Sequence, residues 1–440
     1  MKRGLYLVVT LAVALTIVLG AIGCGTPSTG VTIDEKSPVT VWIDAARKPA
    51  ADKYLATHPD KANLVKFEIV DRGQFAAKVL LFNNSGSGWP DVVFAEPSIV
   101  KYNSDAAHNF PMDLTPWVDK KIVDGFVPGS LDPCYSSTAA DKELLCLRND
   151  LAPLVLWYNK PLMEEFGYKV PTTWEEYIAL SDKVATDHPG YYLGSAGSPE
   201  VNFLWPSGCP IANEINVAKV QINATDPKCV RVTQMIDHMI ANGTLSKYGQ
   251  FDPKFIEIVN NNKLLLMETA AWFGDFVFGG KPDSSYYKTA VNQLAAALPM
   301  KWADQDKPYT GAWGGSAWMV SNHTKNPRLA VDIAIYMTTD IEVGKLVGTM
   351  PAYGPAAEEW KKGMDTNPLY AMNPYEIMKQ AAGLVNPGYT DAVRYSVGEG
   401  IKPLTTAIEQ DKPTEPTLAD CQTQLKILAE KEGYEVVTTP

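Results

Sequence analysis

The chain has 440 residues, 46% hydrophobic and 20% charged, the proportions of an ordinary globular protein. Its 50 acidic residues outnumber 39 lysines and arginines, and the formal charge of −11 argues against nucleic acid or an anionic membrane as the partner. With about 400 residues left after an apolar N-terminal stretch, there is too much chain for one ordinary core and enough for two lobes.

The N-terminus opens on Met1-Lys2-Arg3, runs through an almost unbroken apolar segment from Leu5 to Ile22, and reaches Gly23-Cys24. Small and polar residues follow, from Gly25 to Gly30. That order predicts a secretory signal peptide over residues 1–23. The cysteine resembles that of a bacterial lipobox, with Ala21 where leucine is usual. It implies a lipidated Cys24, carrying palmitate-type acyl chains, and a tether over residues 24–37. The alternative is a membrane-spanning anchor; either puts the folded part outside the cytoplasm. Setting Cys24 aside leaves five cysteines. In an oxidising compartment Cys134 with Cys146, and Cys209 with Cys229, are expected to pair locally, leaving Cys421 as a buried thiol. Other pairings stay open on sequence alone.

The folded part begins with strand Val39–Ile43, a helix from Ala45 to about Thr57, and strand Leu64–Val70 with Val65, Phe67 and Ile69 on one face. A helix follows from Gln74 to Phe82, then a Gly86-Ser87-Gly88 break and a third strand over Asp91–Ala95. This alternation predicts an α/β fold with a parallel sheet, whose ligands sit beyond the strands' carboxyl ends. Those ends are Asp44-Ala45, Asp71-Arg72 and Glu96-Pro97-Ser98. Carboxylates there suit a ligand rich in hydroxyl donors, while Asp44 and Asp71 equally suit helix N-caps. Further on, Thr173 and Glu176 form a capping box, and Asn326-Pro327 opens another helix. The tail from about Tyr375 to Ala429 is mostly helical in pattern, interrupted at Pro387-Gly388 and over Lys412–Pro416.

Signatures of catalysis are missing. The five histidines form no HxxxH pair, and there is neither a GxSxG elbow nor a GxxxxGK[ST] loop. No cofactor or metal is therefore expected, and the chain reads as a non-enzyme. A secreted glycoside-acting enzyme, which needs only two opposed carboxylates, is the competing class.

Four ordered stretches carry a family resemblance. They are Ser87-Gly88-Trp89-Pro90-Asp91-Val92-Val93; Asn149 to Lys160, with Phe166-Gly167 and Pro171–Glu176; Asn262–Met267 running into Ala271-Trp272-Phe273-Gly274-Asp275; and Gly311–Ser321 followed by Asn326-Pro327. In this order the chain resembles the extracellular solute-binding proteins of sugar ABC transporters, the family that includes maltose-binding protein. The resemblance implies a two-lobed, type II periplasmic-binding-protein-like fold, each lobe a mostly parallel sheet flanked by helices, with the ligand cleft between them. It implies a monomer that delivers its solute to permease subunits. Lobe 1 would comprise 38–148 and 303–348, lobe 2 would comprise 149–302 and 349–437, and the chain would cross near Leu147–Pro153 and near Leu298–Ala303.

Carried over by position, Trp272 matches a sugar-stacking tryptophan and Asp150 a pocket carboxylate. Gly314, Gly315 and Ser316 match a loop facing the cleft, and Glu96, Trp313 and Tyr353 fall where further contacts occur. Asp44 and Arg148 stand where the family more often has aromatic residues or proline. The ligand implied is a sugar or oligosaccharide. A polyamine, a phosphate ester or an oligopeptide is the alternative, with Arg72 and Arg148 serving an anion.

Overall fold

The structure is a computed structural model. It describes residues 32–439 apart from 97–98, 101–102, 104–107, 137–141, 217, 280–286, 347 and 391–392, and apart from the side chains of 72, 76, 387, 389 and 390. The signal peptide and Cys24 lie outside the described residues, among which no helix is long and apolar enough to cross a membrane.

Strands are numbered in chain order: β1 (Val39–Ile43), β2 (Val65–Ile69), β3 (Val92–Ala95), β4 (Leu147–Arg148), β5 (Asp150–Leu151), β6 (Leu154–Asn159), β7 (Asn213–Asn216), β8 (Lys219–Gln221), β9 (Leu266–Ala270), β10 (Leu294–Ala297), β11 (Thr310–Ala312), β12 (Ala317–Val320), β13 (Met350–Pro351), β14 (Val385–Thr390) and β15 (Glu435–Val437). The first sheet has the order β2-β1-β3-β12-β4. Its β1–β2 and β1–β3 pairs are parallel, as the alternating strands and helices require, whereas β12 is antiparallel to both neighbours. β1 is an interior strand and almost wholly buried, while the edge strand β2 buries Val65 and leaves Ile69 57% exposed, so its expected inner face fails at one end.

The second sheet, β10-β6-β9, is antiparallel throughout, which departs from the expected parallel sheet. Direction explains it. β6 leaves the junction between the sheets at Leu154, and β9, paired there through Ala270, has to run back to bring Trp272 to the same place. Trp157 anchors this pair from within, its indole donating to the Ala270 carbonyl at 3.1 Å.

Three chain passages lie side by side between the sheets. β4 belongs to the first sheet, and two residues on β5 pairs with β13. Asn149 donates its backbone N–H to the Ser316 carbonyl at 2.8 Å and accepts from Ala352 at 3.1 Å; Trp313 donates to Ala152 at 3.1 Å. The chain thus passes from the first sheet to the second over Leu147–Leu154 and enters β12 of the first sheet through Trp313–Ser316. Lys301 bridges to Thr173, the Trp302 ring lies tilted 6.3 Å from that of Trp174, and Met300 N donates to Glu268 of β9, so 298–303 stays with the second sheet.

Local signals hold where they are self-contained. Thr173 Oγ1 accepts from Glu176 N at 3.1 Å and Glu176 reaches back to Thr173 N at 3.3 Å, capping helix Trp174–Asp187. Asn326 caps helix Pro327–Thr339 through Leu329 N at 3.2 Å. Disulfides join Cys134 to Cys146 and Cys209 to Cys229, and Cys421 is a buried free thiol. The tail holds the expected helices, but β14 spans the Pro387-Gly388 interruption and pairs in parallel with β11.

Candidate functional site

Between the two sheets lies a cleft of about 760 Å³. One wall comes from the carboxyl ends of β1 and β3: Asp44, Ala46, Arg47, Glu96 and Ile99. Asp44 caps a turn and also lines the cleft. Its carboxylate caps the turn Ala45–Arg47 through Arg47 N at 3.1 Å, and it faces the cleft, paired with the Arg47 guanidinium at 3.3 Å. Arg47 also lies over the Phe94 ring, 4.1 Å from its centre. Asp71, by contrast, closes its own turn through Gly73 N at 3.0 Å and is not part of the lining.

The junction passages supply the cleft floor: Asp150, Trp313, Gly314, Gly315, Ser316 and Thr349. Asp150 is buried, and its Oδ1 accepts from the Ser316 hydroxyl and from Asn149 Nδ2. Asn149 is itself fixed by the Trp318 indole, which donates to its Oδ1 at 3.1 Å. Gly314 and Gly315 both have φ of +79°, a left-handed backbone that side chains disfavour. A Cβ on Gly315 would also come 2.5 Å from Arg148 Nη2. Arg148 therefore does not line the cleft. It lies 4% exposed behind Gly315, with Nε and Nη1 lacking a protein partner. Burial pushes its guanidinium pKa down and the Asp150 charge opposes that shift.

The opposite wall carries Glu200, Val201, Trp205, Trp272, Phe276 and the segment Val393–Gly398. Trp272 is half-buried. Its indole N–H donates to the Trp313 carbonyl at 2.8 Å, and the two rings lie 5.4 Å apart. With its one polar atom engaged, Trp272 presents only ring surface. Behind it, Asp275 accepts from Tyr370 OH at 2.9 Å and Asn367 Nδ2 at 3.3 Å, and burial raises its carboxyl to about 6.

Of the residues singled out in the sequence, Trp272, Asp150, Glu96, Gly314, Gly315, Ser316, Trp313 and Asp44 come together in one cleft. Arg148 lies just behind it. Tyr353 lies outside the lining, at the N-terminal end of helix Gly354–Met364, with its ring 5.3 Å from that of Phe126. The Arg72 side chain is not among those described. Sequence reasoning missed Arg47, Glu200, Trp205, Phe276, Thr349 and the Arg394–Gly398 segment. Of these, only Arg394-Tyr395-Ser396 offered a signal, as a cationic and aromatic cluster within a tail read as mostly helical. Among the described residues no group of histidine, cysteine and carboxylate side chains is placed to hold a metal.

A two-lobed α/β molecule with a wide cleft at its junction has the architecture of the type II periplasmic binding proteins. The chain belongs to the bacterial extracellular solute-binding proteins, whose family model matches residues 40–342. Similar solved structures include the galacto-N-biose-/lacto-N-biose I-binding protein of an ABC transporter from Bifidobacterium longum, in complex with lacto-N-biose. It has a TM-score of 0.70 and 17% identity, over 92% of this chain and 100% of that one. An ABC transporter associated binding protein from B. animalis subsp. lactis, in complex with beta-1,6-galactobiose, has a TM-score of 0.68 and 20% identity, over 92% and 100%. The GacH receptor of Streptomyces glaucescens, solved unliganded and with acarbose, has a TM-score of 0.68 and 16% identity, over 91% and 100%. No curated protein matches the chain in sequence. Family membership puts the folded chain outside the cytoplasm, among proteins that bind solutes.

Proposed function

We propose that this protein is the substrate-binding component of an ABC importer, capturing a sugar or oligosaccharide in the cleft and delivering it to the permease without chemical turnover. The observation that carries this reading is Trp272. Its indole N–H is tied to Trp313, so it offers a fixed apolar face beside Asp150 and Ser316. Sugars have apolar C–H faces and a rim of hydroxyls. A rigid aromatic platform ringed by carboxylates and backbone amides complements both. The solved neighbours that hold saccharides support the same reading. Cys24 would tether the monomer to the outer face of the cell membrane. The lobes would be those read from the sequence, with the return crossing moved to Trp313–Ser316.

Thermal melting against sugars, polyamines and phosphorylated solutes tests the proposal. A ligand at 100 times its Kd stabilises the protein by about 2.7 kcal/mol. A response to a polyamine or a phosphate ester, with no saccharide response, would overturn the sugar assignment. Product release from an oligosaccharide panel would overturn the non-enzymatic one. Trp272→Ala is expected to weaken saccharide binding at least about tenfold by titration calorimetry, given the ~0.5–1.5 kcal/mol of an aromatic contact plus its buried area. Undiminished affinity in that variant would remove the stacking role.

A further inference from the structure

We propose that Asn149, oriented by Trp318, makes the pair Asp150 and Ser316 on the cleft floor a subsite for a donating sugar hydroxyl. This rests on the saccharide reading above and adds which group of the ligand that pair reads.

The hydrogen bonds beneath the floor have one possible direction. An indole N–H donates and never accepts. Trp318 Nε1 lies 3.1 Å from the Asn149 side-chain amide, so the atom facing it is the amide oxygen. The Asn149 Nδ2 group, which has two hydrogens to give, is thereby turned toward Asp150 Oδ1 and Ser316 Oγ, each at 3.2 Å. Ser316 accepts from Asn149 and spends its single hydrogen on Asp150 Oδ1. The reverse amide orientation would set two donors face to face at Trp318 and an oxygen against the Asp150 carboxylate. All four side chains belong to residues only 1–3% exposed, where such a mismatch is costly. The Asn149 backbone is held as firmly, bonded to Ser316 on one side and Ala352 on the other.

Asp150 and Ser316 line the cleft, whereas Asn149 and Trp318 stand behind it. What the lining pair shows a ligand follows from what is already committed. Among the described residues, every hydrogen bond to the Asp150 side chain falls on Oδ1, which leaves Oδ2. Ser316 keeps a lone pair and no hydrogen. The pair therefore presents acceptors and no donor. A sugar hydroxyl donates to it. A ring oxygen, a glycosidic oxygen or a fluorine brings another acceptor and leaves the carboxylate unmatched, and a site built to bond a hydroxyl discriminates steeply against an analogue lacking it. Asn149 is a positioning residue in this scheme, acting through Asp150 and Ser316.

The test is calorimetric titration of the folded protein with maltose, cellobiose and lactose, followed, for whichever binds, by analogues in which fluorine replaces each hydroxyl in turn. At one position the fluorinated sugar is expected to bind at least about tenfold more weakly than its parent sugar. That ratio is expected to fall to about twofold in Asp150→Asn, whose amide offers the cleft a donor where Oδ2 accepted. Asn149→Asp keeps the acceptor for Trp318 and sets a second carboxylate against Asp150. Its affinity for the parent sugar is expected to be about tenfold below that of the unmodified protein near pH 8 and to recover toward pH 5, because two touching carboxylates come to share a proton. Arg148, the charged side chain next to Asp150, is common to both proteins, so the comparison at each pH isolates the new pair. A variant that merely loosened the fold would lose affinity at every pH. Trp318→Phe, which removes the indole N–H and keeps a ring, is expected to lower the fluorine ratio as well, and it serves if Asn149→Asp does not fold. A fluorine penalty absent at every position or unchanged in Asp150→Asn, a ratio unchanged in Trp318→Phe, or an Asn149→Asp affinity that is undiminished or fails to recover at pH 5 would overturn the proposal and leave the saccharide reading standing. Failure of all three sugars to bind would remove both.

Discussion

At the scale of residues, the floor of the cleft is a tight knot that admits little change. Gly315 separates the Arg148 guanidinium from the cavity, and its backbone is left-handed. Gly315→Ala would introduce both strain at positive φ and a collision with Arg148 Nη2. A loss of about 1–3 kcal/mol in stability is expected, read by urea denaturation, together with weaker ligand binding. Because a lysine lacks the second terminal nitrogen, Arg148→Lys should recover part of that loss in the double variant, and no recovery would count against the collision.

Glu268 supplies a second prediction. It sits buried in the middle of strand β9, its Oε2 accepting from Met300 N at 3.1 Å, and burial raises its carboxyl to about 8 from an ordinary 4.5. The folded protein holds this proton more tightly than the unfolded chain. The associated stability is complete below about pH 4.5, declines as pH rises through that window, and is gone above about pH 8. Melting temperatures of Glu268→Gln measured from pH 5 to 9 should show a flatter decline, with the largest gain at the alkaline end. A slope equal to the parent's would place the proton elsewhere.

These residues differ in how far the sequence revealed them. Trp272 and Gly314-Gly315 stand in short contiguous motifs, so their role travels with their neighbours in the chain. Trp205 is 1% exposed and has no such motif, which makes it indistinguishable in sequence from a core tryptophan such as Trp157. Its place in the lining follows from tertiary packing alone.

At the scale of elements, two single π-turns, Glu200–Leu204 and Gly274–Phe278, shape the second wall. A π-turn spans five residues with an i→i+5 bond, too short to leave a periodic trace, and such turns concentrate at functional sites. Gly274 is required where it stands, because a Cβ there would fall 2.5 Å from Tyr370 OH and 2.7 Å from the Trp157 ring. The Val393–Gly398 segment was hidden for another reason. It reaches the cleft only because β14 pairs with β11, a contact between residues far apart in the chain. Elements with complete local instructions were read correctly, and the Thr173 capping box is the clearest of them. Thr173→Ala is expected to cost ~1 kcal/mol by chemical denaturation while ligand affinity stays unchanged, since the cap is remote from the lining.

At the scale of the whole molecule, the α/β class and the two-lobed plan followed from length and from the β1–β3 alternation. Strand direction in the second sheet did not, because it depends on where β6 departs and where β9 must arrive. The passages at Asn149–Ala152, Trp313–Ser316 and Met350–Ala352 are hydrogen-bonded side by side, and closure of the lobes about them is the expected mode of capture. Small-angle scattering should then show a smaller radius of gyration in saturating ligand than without it. An unchanged profile under conditions where calorimetry shows full binding would exclude closure as the mode of capture.

The two disulfides have a bearing on how such a chain reaches its working state. Each links cysteines that follow one another in sequence, 12 and 20 residues apart. A polypeptide threaded outward from its N-terminus presents Cys134 and then Cys146, and later Cys209 and then Cys229. If each pair oxidises as it emerges, the native partner is the nearest newly arrived thiol, and correct connectivity follows from the order of delivery. Maturation outside the cytoplasm would then need an oxidant, with little call on an isomerase to sort partners afterwards.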